Sequence, residues 1–350
     1  MPYCRRICPY CDFYRKRSGE VEERYILSLI REIGYEADGG VINTVFFGGG
    51  TPSLLKSGQI SRIMKALHRA YRVTPLEITL EANPEDVKEE NLKLWRSAGI
   101  NRISIGVQTF SERGLKTLGR WHTPAEGMKA ILNALSYGFR TNADLIFAYP
   151  GQSLQEFEYD LLTLVKLGVH HISAYALEFH DRTLFGYYLR KGRFREREDL
   201  RDFYLLREEV LTSFGYVRYE ISNYSLPGYE SIHNRIYWSR GWYKGFGPSA
   251  SSFLKDKKVR YTNLPSLSRY IKEFPPPREY DPLDDERERM ERVFLGLRTG
   301  ELPLEWYVKN YGEEKVKMVE EFLEIKDGKV GVKVEYLHVF DAVVRKLVLT

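Results

Sequence analysis

Cysteine is scarce in this chain: three among 350 residues, all within the first eleven positions. So few thiols in a chain long enough to bury a large core exclude a disulfide framework. Their odd number points to a reducing compartment, so a cytoplasmic setting is expected. Long apolar runs are missing too. No stretch approaches the roughly 20 apolar residues that a membrane span needs, and the first residues are charged, unlike a signal peptide. Neither secretion nor membrane spanning is expected. Strong charge of one sign is also lacking, because 53 basic residues face 48 acidic ones for a net +5 spread along the chain. A nucleic-acid partner is not expected from such a balance. There is no low-complexity tract.

What is present is concentrated. Cys4, Cys8 and Cys11 stand in a C-x3-C-x2-C spacing, close enough to bind one metal centre with little loop-closure cost. Three thiolates leave a four-iron cube one ligand short. A zinc site completed by one of the seven His, or three unconnected thiols, are the other readings.

The next 170 or so positions alternate helix and strand patterns. Apolar residues at three- and four-residue spacing predict helices over 21–35, 57–71, 83–98, 124–137 and 154–167, with a further helical stretch near 112–118. Asn83 is expected to cap the third of these, with Pro84 at its first position. Short, mostly apolar runs predict strands at 44–47, 77–82, 102–107, 142–147 and 171–177. Strand-helix alternation of this kind predicts an α/β fold with a parallel sheet and helical crossovers, whose site lies at the C-terminal ends of the strands. Polar residues stand at those ends: the Gly48, Gly49, Gly50 loop, Glu81, Gln108 and Asp144, with Arg120 in a loop beyond. The glycine loop matches no phosphate-binding pattern, but offers backbone that a ligand can approach closely. Each polar residue taken singly also reads as structural; together they converge on one mouth.

Further along, 180–215 is charged and helical, and 217–222 suggests another strand. An aromatic and glycine-rich region without period runs from His233 to Phe253. Positions 274–288, rich in Pro and acid, read as a linker into a small helix-plus-hairpin unit at 285–350.

With these motifs in hand, the sequence resembles the radical S-adenosylmethionine (SAM) superfamily. Within it, the chain is similar to the oxygen-independent coproporphyrinogen oxidases and the heme chaperones of the HemW type. The motifs are the cysteine spacing, Gly-Gly-Gly-Thr-Pro-Ser at 48–53, Thr-Leu-Glu-Ala-Asn-Pro at 79–84, Ser-Ile-Gly-Val-Gln-Thr-Phe at 104–110 and Asp-Leu-Ile-Phe-Ala-Tyr-Pro-Gly at 144–151. The resemblance implies an incomplete parallel (β/α) barrel over 1–275, with a family extension from about 180, and a small C-terminal α+β domain at 285–350. It implies a [4Fe-4S] cluster on Cys4, Cys8 and Cys11, with SAM completing the fourth iron. It also implies SAM contacts from Tyr10, Gly49, Gly50, Thr51, Glu81, Gln108, Arg120, Asp144 and Ala176.

Two features of the resemblance favour the chaperone over the oxidase. Phe13 stands where the oxidases carry a further cysteine, and a His-Asn-x-x-Tyr-Trp motif supplies His233, Tyr237 and Trp238 as heme contacts, His233 as an axial ligand. The implied partners are heme or a porphyrin, heme-acceptor proteins at the membrane, and an electron donor where radical chemistry is run. Oxidative decarboxylation of coproporphyrinogen III is the alternative. The chain departs from the relatives in having Ser251 where chaperones place a histidine. It also begins at Met1-Pro2, where relatives have a strand ending in His-Ile-Pro.

Overall fold

The structure is a computed structural model that describes residues 1–195 and 197–349. Two short parallel strands, β1 (Tyr3–Cys4) and β2 (Lys16–Arg17), hold the two ends of the cysteine loop. The main alternation follows as α1 (Glu23–Tyr35), β3 (Val41–Phe47), α2 (Ser57–Ala70), β4 (Arg72–Ala82), α3 (Glu89–Ser97), β5 (Arg102–Gln108), α4 (Glu112–Thr117), α5 (Pro124–Ser136), β6 (Arg140–Phe147), α6 (Leu154–Leu167) and β7 (His171–Ala176). Strands β3 to β7 lie side by side in chain order and pair in parallel. After α7 (Leu184–Arg190) and α8 (Leu200–Ser213), β8 (Val217–Arg218) and β9 (Asn223–Ser225) complete a seven-stranded sheet, with β9 antiparallel to β7. The sheet curls into a half-barrel, and the expected incomplete (β/α) barrel is the fold observed.

The helices form for the reason their spacing predicts. Tyr25, Ile26, Leu29 and Ile33 line one buried face of α1, and capping boxes at Thr123 and Ser153 start α5 and α6. The strands differ from the near-uniform apolar runs expected. Alternate residues point to opposite faces. One face carries Ile78, Leu80, Ile103, Ile105, Ala143, Leu145, Ile172 and Ala174, all buried. The other carries Glu77, Thr79, Arg102, Ser104, Asn142, His171 and Ser173, also buried. The interior of the half-barrel is therefore polar, and its groups are joined by hydrogen bonds such as Asn142 Nδ2 to Asp144 Oδ1 at 2.8 Å and Ser104 Oγ to Asp144 Oδ2 at 2.9 Å.

The remaining chain adds α9 (Ile232–Trp238), β10 (Ser251–Leu254), β11 (Val259–Asn263), α10 (Leu267–Lys272) and β12 (Arg278–Pro282), the three strands forming an antiparallel sheet. It ends with α11 (Asp285–Thr299), β13 (Leu302–Pro303), α12 (Leu304–Tyr311), α13 (Glu313–Met318), β14 (Leu323–Lys326), β15 (Lys329–Val332) and α14 (Phe340–Leu349). Strands β14 and β15 are the hairpin expected at Asp327 and Gly328. Val293, Leu297 and Leu347 belong to the same continuous apolar core as the barrel residues.

Three local expectations are corrected. The helix expected over 83–98 is split. Asn83 makes no side-chain cap, Pro84–Asp86 is a 3-10 turn, and α3 starts only at Glu89. Buried Asp86 is tied to Ser53 Oγ at 2.6 Å and to Arg5, which holds the chain off the helical path. The strand at 217–222 breaks because Glu220 folds back to accept from the Ser222 N–H at 2.9 Å and from Asn223. The linker at 274–288 is instead strand β12, paired with β11, followed directly by the first turn of α11.

Candidate active site

The cysteine loop lies across the C-terminal ends of the parallel strands and encloses with them a cavity of about 620 Å³. Cys4, Cys8, Cys11, Tyr10, Gly49, Gly50, Thr51, Glu81, Gln108, Arg120, Asp144 and Ala176 all line it. Residues chosen from seven separate stretches of sequence thus meet at one place.

Backbone geometry explains how. The Gly50 N–H donates to Met1 O at 2.6 Å, so the glycine loop runs against the segment that leads into Cys4. A Cβ on Gly50 would stand 2.6 Å from Tyr3 O and 3.1 Å from Cys4 Sγ, and Gly49 has φ +105°. Only glycine tolerates both demands. Gln108 ends β5 at φ +70°, a left-handed conformation that a non-glycine residue holds only where its surroundings enforce it. They do: buried Asp160 accepts from the Phe110 N–H at 2.6 Å and from Thr109 Oγ1 at 2.7 Å, clamping the turn just after Gln108. Arg120 donates to Asn83 Oδ1 at 2.7 Å and to Gly106 O at 2.9 Å, and stands 3.6 Å from Cys8 Sγ. Tyr10 packs its ring toward Phe185, with centroids 6.4 Å apart. Asp144 lies inside β6 rather than at its end, but still faces the cavity.

At Glu81 and Asp144 the electrostatics are those of carboxyls short of a cation. Burial, with Asp144 adding repulsion, pushes the Glu81 carboxyl up to about 7, although the Gly49 N–H donates to it at 3.0 Å. Burial likewise raises the carboxyl of Asp144 and the thiols of Cys4 and Cys11. The Glu85 Oε2 atom, on the cavity wall, is buried and has no hydrogen-bond partner among the described residues. A bound group bearing positive charge and hydrogen-bond donors would satisfy these acceptors. Among the described residues no three Cys, His, Asp or Glu side chains already stand as a metal group; the thiols share the cavity wall. Their chemistry, three soft ligands beside a cradle that a single Cβ would fill, fits an iron-sulfur cluster with an amino-acid ligand alongside.

Sequence reasoning missed several cavity residues. Asn83 was read only as a helix cap, although its carbonyl oxygen anchors Arg120. Ser104 and Tyr175 also line the wall, as does half-exposed Trp121, over which Arg6 lies 5.1 Å from the ring centre. Position in β5 and β7 held the signal for Ser104 and Tyr175, since Ser104 lies four residues before the predicted contact Gln108 and Tyr175 adjoins Ala176.

The three residues expected at heme lie elsewhere. His233 is tucked beneath the half-barrel, stacked on Phe46 at 5.0 Å, with Nδ1 2.8 Å from Thr44 Oγ1 and Nε2 2.7 Å from Tyr237 OH. Burial lowers its pKa to about 4, so the ring is neutral. Tyr237 and Trp238 line a second cavity of about 360 Å³, to which Ser251 also contributes.

A half-barrel with three cysteines at its strand ends defines a protein of the radical SAM class, and the family model "Radical SAM superfamily" matches residues 1–164. A solved structure, coproporphyrinogen III oxidase (HemN) from Escherichia coli, superposes with a TM-score of 0.82 over 99% of this chain and 88% of that one, at 20% identity. Within the class, this chain belongs to the family of the HemW heme chaperones. It is 34% identical to the heme chaperone HemW of Lactococcus lactis subsp. lactis over 93% of this chain and 90% of that protein. The E. coli HemW is 39% identical over 77% of this chain and 75% of that protein.

Proposed function

We propose that this chain binds heme and passes it to acceptor proteins, while carrying a [4Fe-4S] cluster on Cys4, Cys8 and Cys11 with SAM beside it. The observation that carries the reading is the 34% identity to a heme chaperone across nine-tenths of both chains. When bound, the cluster and SAM supply one-electron chemistry at the strand ends. The residues present do the holding. Glu81 and Asp144 favour a cationic ligand, because each is pushed toward its neutral form by burial and regains its charge beside a cation. Arg120, fixed by Asn83 and Gly106, offers a guanidinium to a carboxylate. The Gly49, Gly50 and Thr51 backbone lies open to close approach. An amino acid bearing a sulfonium, with its ammonium, carboxylate and second positive charge, matches all three.

The heme side of the reading rests on α9. Glu77, fully buried on β4, accepts from Ser231 Oγ at 3.0 Å and from the N–H groups of Ile232 and His233 at 3.0 and 3.2 Å. That carboxylate fixes the start of the helix bearing His233, Tyr237 and Trp238. For His233 to bind iron through Nε2, the Tyr237 hydroxyl must first release it. The partners are heme, an acceptor protein at the membrane face and, where radical chemistry is run, an electron donor; no helix among the described residues is long and apolar enough to cross a membrane. Phe13, 65% exposed at the mouth, offers no fourth thiol there and favours the chaperone over a decarboxylase.

The test is incubation of anaerobically reconstituted protein with coproporphyrinogen III, reductant and SAM, beside a hemin titration followed at the Soret band. Saturable hemin binding without vinyl product supports the chaperone. Vinyl product at a catalytic rate overturns it in favour of the decarboxylase.

A further inference from the structure

The second cavity lies on the far side of Tyr237 from His233, between α9, the β10–β11 hairpin and α11. Its walls are aromatic: Tyr237 meets Tyr243 edge-on with centroids 4.6 Å apart, and Phe253 packs against Tyr243 at 6.2 Å. Two arginines line it as well. Arg240 lies 5.7 Å and Arg260 4.9 Å from the centre of the Phe253 ring, so both guanidiniums are seated by the same aromatic side chain. Both then turn to one carboxylate. Arg240 Nε donates to Glu291 Oε2 at 3.0 Å, and Arg260 Nη2 donates to Glu291 Oε1, one arginine to each oxygen. Arg240 holds φ +56°, a left-handed backbone unusual for a side chain of its size, and the Trp238 Nε1 atom is buried without a partner among the described residues.

We propose that Arg240 and Arg260 form a clamp for a carboxylate of a flat aromatic ligand, occupied in this structure by Glu291. The inference rests on the heme reading above and names the part of the ligand that the cavity takes: a propionate-bearing edge, since about 360 Å³ is too small to enclose a whole tetrapyrrole. Three features carry it. The cavity offers aromatic rings set edge-on and tilted to one another, against which a flat ligand can lie. It offers a charge-assisted, two-sided carboxylate site, whose geometry Glu291 already displays. It also has an indole N–H that nothing among the described residues satisfies.

Glu291 sits on α11, and its neighbour Glu288 is held at 3.0 Å by a different nitrogen of Arg240, Nη1, and at 3.0 Å by Lys258, which lies outside the clamp. A ligand carboxylate can therefore displace Glu291 while the helix stays anchored through Glu288. In the empty state Glu291 keeps two half-buried guanidiniums paired. On binding it yields them, which makes it a competitor of the ligand rather than a contact.

The test uses the full chain and two probes with the same ring, hemin and hemin dimethyl ester, titrated by Soret absorbance and by quenching of tryptophan fluorescence. Hemin is expected to bind the wild type about tenfold or more tightly than the diester. Removing the competitor in Glu291→Gln is expected to tighten hemin binding severalfold and leave the diester unchanged, whereas Arg240→Gln with Arg260→Gln brings hemin down to the affinity of the diester. Equal binding of the two probes to the wild type would overturn the clamp without needing any variant to fold. It would leave the heme reading standing, because hemin still binds. No saturable hemin binding at all would remove both.

Discussion

The two cavities of this protein are built in opposite ways. The larger one gathers short motifs at the ends of parallel strands, each residue delivered by a secondary structure whose period is visible in the chain. The smaller one is assembled from a short helix that carries one motif, two antiparallel strands and α11, with ion pairs joining them. The first leaves Glu81 and Asp144 pushed toward neutrality for want of a cation beside them, and its glycines open the backbone to a ligand. The second has its charges already paired, with Glu291 between two arginines. A site awaiting a cofactor that stays and a site kept closed until a cargo arrives would differ in this way.

The comparison is broken most severely at the cysteines. Cys8→Ser is expected to reduce iron and sulfide, about four of each per reconstituted chain, to a small residue, while hemin still binds at the second cavity. Iron analysis and a Soret titration on the same sample check it; loss of both would mean the two sites are one.

Next is the charge on Glu81. With its carboxyl raised to about 7, SAM binding that needs the ionised form should be about tenfold weaker at pH 6 than at pH 8. The same raised pKa makes the ligand-free protein less stable as pH rises from the ordinary carboxylate range through about 7, since the folded state binds more protons there than the unfolded one. Glu81→Gln should flatten both profiles, as read by equilibrium dialysis and by denaturant melts across pH.

Glu77→Gln acts on the other side. Weakening a buried acceptor that holds three donors at the start of α9 should cost about 1–3 kcal/mol of stability and loosen hemin binding, with SAM affinity unchanged. The smallest effect is expected from Asp160→Asn. Burial has already brought this carboxyl up to about 7, so a neutral amide keeps part of its role, and a loss of about 1 kcal/mol with a slightly weaker SAM site should follow.

The larger cavity was legible because Cys4, Cys8, Cys11, Gly49, Glu81 and Gln108 lie within motifs or next to strand ends, where period and position together say which way they point. The polar lining of the half-barrel was harder to see. Thr79, Ser104, Asn142 and His171 sit among Ile, Leu and Ala in strands that read as buried on both faces, and nothing local distinguishes an interior hydrogen-bond network from a mixed core. Asn83 misled for a related reason: Asn before Pro is a good helix start, and only the pull of Asp86 toward Ser53 and Arg5 delays the helix to Glu89. Of the second cavity, Tyr237, Trp238 and Ser251 stood out in the sequence, but its arginines and their carboxylate were beyond reach. Arg240 finds Glu291 at a separation of 51 positions, and strand β12, which helps build that sheet, is disguised by prolines and acid as a linker.

The account's central claim is that heme is cargo here and not a product. Hemin-loaded, reconstituted protein mixed with excess apomyoglobin tests it most directly, with the Soret band followed in time. The account predicts that the chain's own spectrum is replaced by that of holomyoglobin, faster for Arg240→Gln with Arg260→Gln than for the wild type. Hemin that stays on the chain under excess acceptor, or that never binds it, would contradict the claim.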